Sequence, residues 1–94
     1  MVITKVTGKN QGDIMVYALS TCPWCRKVKQ LLNDSGVEYS FVDVDLAQGK
    51  EREELLSQVK KWNPALSFPV TVLNGTKAII GFKETEIKEA LKPA

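Results

Sequence analysis

The period of the apolar positions changes along the chain, and each change marks an element. Ile14-Met15-Val16-Tyr17-Ala18-Leu19 is a near-continuous apolar run, the pattern of a buried central strand. From Pro23 to Asp34 the period becomes helical: Cys25, Val28, Leu31 and Leu32 recur on one face, with Arg26, Lys27, Lys29 and Gln30 between them. Gly36 supplies a helix stop. Tyr39-Ser40-Phe41-Val42-Asp43-Val44 reads as a second strand. A strand, a helix and a strand with a short return predict a right-handed βαβ unit with parallel strands.

The second half continues the alternation. Gln48 to Trp62 is a second helix with Leu55, Leu56, Val59 and Trp62 on one side. Trp62 is expected to pack rather than bind. The charges from Glu51 to Lys61 form a solvated face, and Asn63-Pro64 ends the helix. Phe68-Pro69 opens a third strand, Val70 to Leu73. Asn74-Gly75 then suits a type I′ hairpin turn. Thr76 to Ile80 is the returning strand and Gly81-Phe82 a bend. A last helix over Lys83 to Lys92 buries Ile87, Ala90 and Leu91. Upstream, β-branched residues in Val2 to Thr7 suggest an extra strand, with antiparallel pairing to the next strand an option. Gly8 to Asp13 reads as a turn. The order is β-α-β-α-β-β-α in one α/β domain over 1–94, with 1–13 as an N-terminal extension.

Composition narrows the function. Lys plus Arg number 13 and Asp plus Glu 11, a net charge of +2. No basic stretch is interleaved with aromatics, so no nucleic-acid partner is expected. No apolar run approaches about 18 residues, so no membrane span is expected. The N-terminus lacks the apolar core of a secretory signal. Two cysteines in such a chain fit a reducing, cytoplasmic setting and a catalytic use.

The candidate chemistry is concentrated in Thr21-Cys22-Pro23-Trp24-Cys25, which holds the only two cysteines. It joins the first apolar strand to the first helix. Helix-end N–H groups and the macrodipole favour an anion at Cys22. Pro23 suits the first helical position, and Cys25 lies about one turn further in. Three other uses stay open. A structural disulfide over so short a loop would constrain the unfolded chain little. Structural zinc needs four ligands, and the chain has two cysteines and no histidine. An iron–sulfur cluster or metal carried between two chains is the remaining rival.

Cys-Pro-Trp-Cys after a strand, Pro69 opening a later strand, the Asn-Gly hairpin and the Gly81 bend together resemble a glutaredoxin of the thioredoxin fold. The resemblance covers Ile14 to Leu91. It implies a central four-stranded mixed sheet flanked by three helices, a monomer, protein disulfides as substrates and no cofactor or metal. It also implies roles: Cys22 the attacking thiolate, Cys25 the resolving thiol, Pro69 a cis-proline facing the site. Phe68 would offer backbone groups to an extended substrate. Pro23, Trp24, Gly81, Phe82 and Glu84 would complete the substrate contacts. Arg26 or Lys27 would help to hold the Cys22 thiolate.

The departures from the family pattern bear on the electron donor. Leu19 stands where dithiol glutaredoxins usually carry Lys, and Ser67-Phe68-Pro69 replaces Thr-Val-Pro. Gly81-Phe82-Lys83-Glu84-Thr85 replaces Gly-Gly and an acidic pair that holds glutathione. The Gly-Phe form looks more like the redoxins that supply ribonucleotide reductase and are recharged by a protein reductase. Thioredoxins bury an Asp where this chain has Val16, and match less well. The expectation is therefore recharging by a protein reductase, with glutathione as the alternative.

Overall fold

The computed structural model describes residues 3–91. Among these residues nine elements occur, the eight expected ones in the expected order and a 3-10 turn that takes Val44 out of the predicted strand. They are β1 (Ile3–Val6), β2 (Ile14–Ala18), α1 (Pro23–Asp34), β3 (Tyr39–Asp43), a short 3-10 turn (Val44–Leu46), α2 (Gly49–Trp62), β4 (Val70–Leu73), β5 (Lys77–Ile80) and α3 (Glu84–Ala90). Val2 and Lys92, assigned above to the first strand and last helix, lie outside the described residues.

The strands form one five-stranded mixed sheet in the order β1-β3-β2-β4-β5. β2 and β3 are parallel, and β2 to β4 and β4 to β5 are antiparallel. The extra strand is present, but it pairs with β3 rather than with β2, Ile3 opposite Val42. The reason is steric: β3 and β4 take both edges of β2, so only the outer edge of β3 is open. Its connection then lies against the turn after α1, where Lys9 N–H donates to the Gly36 carbonyl and Glu38 N–H to that of Lys9, both at 2.9 Å. Gly8 is required there, since a Cβ would meet the Val37 carbonyl carbon at 2.7 Å.

Alternation along the strands divides the core. Ile14, Val16 and Ala18 point to one face, where Cys25, Val28 and Leu32 of α1 and Ile87 of α3 cover them. Tyr17, Val42, Val70 and Val72 point to the other, under Leu55 and Val59 of α2. Trp62 packs against this second cluster as a core residue. Each large aliphatic side chain buried this way contributes about 1.5–3 kcal/mol. Asn74 and Gly75 both have positive φ, 53° and 64°, as a type I′ turn requires. The hairpin is tied back across the sheet end, where Asn74 Oδ1 accepts from Asp13 N–H at 2.8 Å.

Parallel β2 and β3 deliver their C-terminal ends to one end of the sheet. Antiparallel β4 begins there and β5 ends there. The loops holding Cys22, Leu46, Phe68 and Phe82 therefore gather at that end.

Candidate active site

Cys22 is the N-cap residue of α1, in extended conformation, with Pro23 at the first helical position. Its Sγ accepts the Cys25 N–H at 3.2 Å. The cap that Ser, Thr or Asp usually provides is here a sulfur, so the helix N-terminus is directed at the Cys22 Sγ itself. Cys22 is half-buried and Cys25 fully buried, and both are free thiols. Burial is the main cause that pushes the Cys25 thiol up to about 12, and the hydrogen bond and charge of Cys22 push it the same way. Lys29 opposes them.

The turn before Cys22 is held from outside the motif. Ser20 N–H and Oγ both donate to the Asp45 carboxylate, at 2.8 and 2.5 Å. Cys22 N–H donates to the Leu19 carbonyl at 3.2 Å. The two bonds from Ser20 hold the Asp45 carboxyl below its ordinary value. Asp45 was not legible as a site residue, because its partner lies 25 positions away.

The Phe68–Pro69 bond is cis. Pro69 is fully buried, and its carbonyl accepts the Gly81 N–H at 2.8 Å. That bond joins the start of β4 to the end of β5. Gly81 has φ +82°, the left-handed region that suits glycine. The loop before Pro69 is braced by Asn63, whose Nδ2 donates to the Ser67 carbonyl and Oγ at 3.0 and 2.8 Å. It holds Leu66 exposed at φ 54°.

Trp24 is 55% exposed and stacks on Phe82 with ring centroids 6.2 Å apart. Phe68 is half-buried and packs against both core clusters. Lys27 lies over the Trp24 ring, Nζ 4.8 Å from its centroid. The cation whose charge acts on the buried Cys25 thiol is Lys29. Glu84 lies 3.8 Å from Lys88 and lines a groove of about 260 Å³ between α1 and α3. Neither cysteine lines that groove. Among the described residues, no three His, Cys, Asp or Glu side chains are grouped to hold a metal.

The glutaredoxin family model matches residues 14–78. This chain belongs to the glutaredoxin family. A glutaredoxin-like 8.6 kDa protein from a rubredoxin operon of Clostridium pasteurianum is 38% identical over 80 residues, 84% of this chain and 97% of that one. The glutaredoxin of Methanosarcina mazei Go1 superposes with a TM-score of 0.89 at 48% identity, covering 97% of this chain and 88% of that one. Methanoredoxin of Methanosarcina acetivorans superposes at 0.87 with 51% identity, covering 89% and 88%. This glutaredoxin is a thiol–disulfide oxidoreductase with two cysteines in its active site.

Proposed function

We propose that this glutaredoxin reduces disulfides of protein substrates in the cytoplasm and is recharged by a protein reductase rather than by glutathione. Cys22 thiolate attacks a substrate disulfide, displaces one substrate sulfur and forms a mixed disulfide. Cys25 then attacks the Cys22 sulfur, an intramolecular disulfide forms, and the second substrate sulfur leaves with two electrons. The first step also prepares the second. Once Cys22 is bonded to substrate, its hydrogen bond and its charge no longer raise Cys25, and burial is the main obstacle left.

The observation that carries the choice of partner is the Trp24–Phe82 stack. It sets an exposed apolar surface beside Cys22, where a second glycine would leave room for a peptide backbone. Leu46 and Leu66, 58% and 38% exposed, lie at the same end of the sheet. Such a surface suits a protein partner, with Phe68 and the cis-Pro69 bond offering backbone to an extended segment. The ribonucleotide reductase disulfide is one substrate of that kind. Glutathione instead depends on charged contacts. Leu19 supplies no cation, Thr85 no carboxylate, and Glu84 faces Lys88. Two lost charge-assisted bonds at roughly 1.5–3 kcal/mol each weaken binding about a hundredfold or more.

Parallel coupled assays test this. Disulfide reduction is followed with glutathione and its reductase, with thioredoxin reductase, and with a ferredoxin-dependent reductase. Turnover is expected with a protein reductase and to be about a hundredfold lower with glutathione. Turnover with glutathione matching that of a common dithiol glutaredoxin overturns the reading.

A further inference from the structure

The Lys29–Asp43 ion pair, on the helix that carries the resolving thiol, has no part in the exchange described above. Lys29 follows Cys25 by four residues on α1, so the two side chains emerge one above the other. Its Nζ lies 2.9 Å from Asp43 Oδ1 and 4.2 Å from the centre of the Phe41 ring. Both partners are largely buried, with 20% and 16% of their side chains exposed. Asp43 ends β3 directly opposite Ala18, which packs in the same cluster as Cys25. A cation and a carboxylate are thus held together at the floor of the site.

We propose that the Lys29–Asp43 pair sets the rate at which Cys25 resolves the mixed disulfide, Lys29 favouring the Cys25 thiolate and Asp43 restraining that effect. The inference rests on Cys25 being the resolving thiol. In that step the Cys25 proton is given up, a Cys22–Cys25 bond forms, and the bond from Cys22 to substrate breaks. The departing substrate thiolate takes a proton. Negative charge therefore appears on a buried sulfur in a poorly hydrated place, where a nearby cation acts more strongly than in water. The Leu19 backbone also lowers the thiol, but it is fixed main chain and carries no charge that a substitution would remove. Cys22 is tied up in the mixed disulfide. The sheet and α3 present apolar side chains, apart from Thr71, whose buried hydroxyl bonds to none of the described residues, and Tyr39, whose hydroxyl is taken by Asn33. Lys29 is the cation that acts on the thiol.

The two charges make opposite predictions, which a purely structural pair would not. Asp43→Asn keeps an acceptor for Lys29 while removing the opposing charge, and the Phe41 ring still steadies the ammonium. Lys29→Met leaves Asp43 without its cation. Each unit fall in thiol pKa raises the thiolate fraction tenfold and lowers its nucleophilicity by roughly threefold, a net gain of about threefold. The experiment mixes the reduced protein with excess aromatic disulfide in a stopped-flow instrument. A first release of chromophore reports attack by Cys22. A second, independent of disulfide concentration, reports resolution by Cys25. Asp43→Asn should speed the second phase about threefold, Lys29→Met should slow it by a similar factor, and Lys29→Arg should restore it. Because loosening around the buried thiol would also speed the step, the gain in Asp43→Asn is read together with an unchanged denaturation midpoint and with the opposite effect of Lys29→Met. Slowing by both variants, or an unchanged second phase in both, overturns the inference. A second phase that persists in Cys25→Ser would instead overturn the assignment of Cys25 itself.

Discussion

Two sulfurs three residues apart occupy opposite surroundings. Cys22 caps a helix at the surface and accepts a backbone N–H, whereas Cys25 is walled in by aliphatic side chains. A thiol raised by burial carries a thermodynamic signature. In the unfolded chain it ionises near its ordinary value of 9.0, while in the fold it keeps its proton to about 12. Between those values the native state holds one more proton, so stability falls as pH rises, with a limiting slope of about 1.4 kcal/mol per pH unit. Denaturant unfolding of the reduced protein should show this decline from pH 9 upward, and Cys25→Ala should remove it. Tyr17 and Tyr39, both raised by burial above 10.0, add a similar decline at higher pH in both proteins. An identical pH dependence in wild type and Cys25→Ala would contradict the burial of this thiol.

At the scale of elements, the helix that presents Cys22 needs a fixed approach as well as a good N-terminus. Asp45 provides it by gripping Ser20 from the turn after β3. The parallel pairing of β2 and β3 brings those two segments to the same end of the sheet. The grip depends on charge. Its carboxyl is held below the ordinary 3.8, so the stabilisation is present above that value and disappears as pH falls through the lower folded value. Asp45→Asn should therefore flatten the acid limb of the stability profile below about pH 4, while costing roughly 1 kcal/mol near neutrality for a half-exposed charge-assisted pair. It should also slow attack by Cys22, because the turn holding it loosens. Unchanged acid unfolding would show that Ser20 does not depend on the carboxylate.

For the whole molecule, the sheet topology decides where the apolar surface faces. Trp24 in the first turn of α1, Leu46 in the 3-10 turn, and Leu66 and Phe82 in two loops share the end of the sheet that carries Cys22 only because the strand order brings those segments there. A centrally placed exposed aromatic commonly contributes about 2 kcal/mol to a protein contact. Trp24→Ala should accordingly raise KM for a protein disulfide by about thirtyfold. The effect on a small disulfide should be much smaller, since it covers little of the rim. Equal losses on both substrates would place Trp24 in the chemistry rather than in docking.

The local signals along the chain determined most of the fold. The helical period from Cys25 to Leu32, the apolar run from Ile14 and the Asn74-Gly75 turn each specify their element through neighbours only a few residues away. The cysteine pair at the strand-to-helix junction marked the candidate site for the same reason, as did Pro69 through the family it resembles. Element ends were less legible: β2 stops at Ala18, and α3 begins at Glu84 instead of Lys83. Only the tertiary structure decided which edge β1 joins, since that depends on which edges other strands leave open. It also decided that Asp45 grips Ser20, that Phe82 lies under Trp24, and that Lys29 meets Asp43. These are contacts between side chains far apart in sequence. Their energies depend on distance and burial in space, which no local pattern of residues carries.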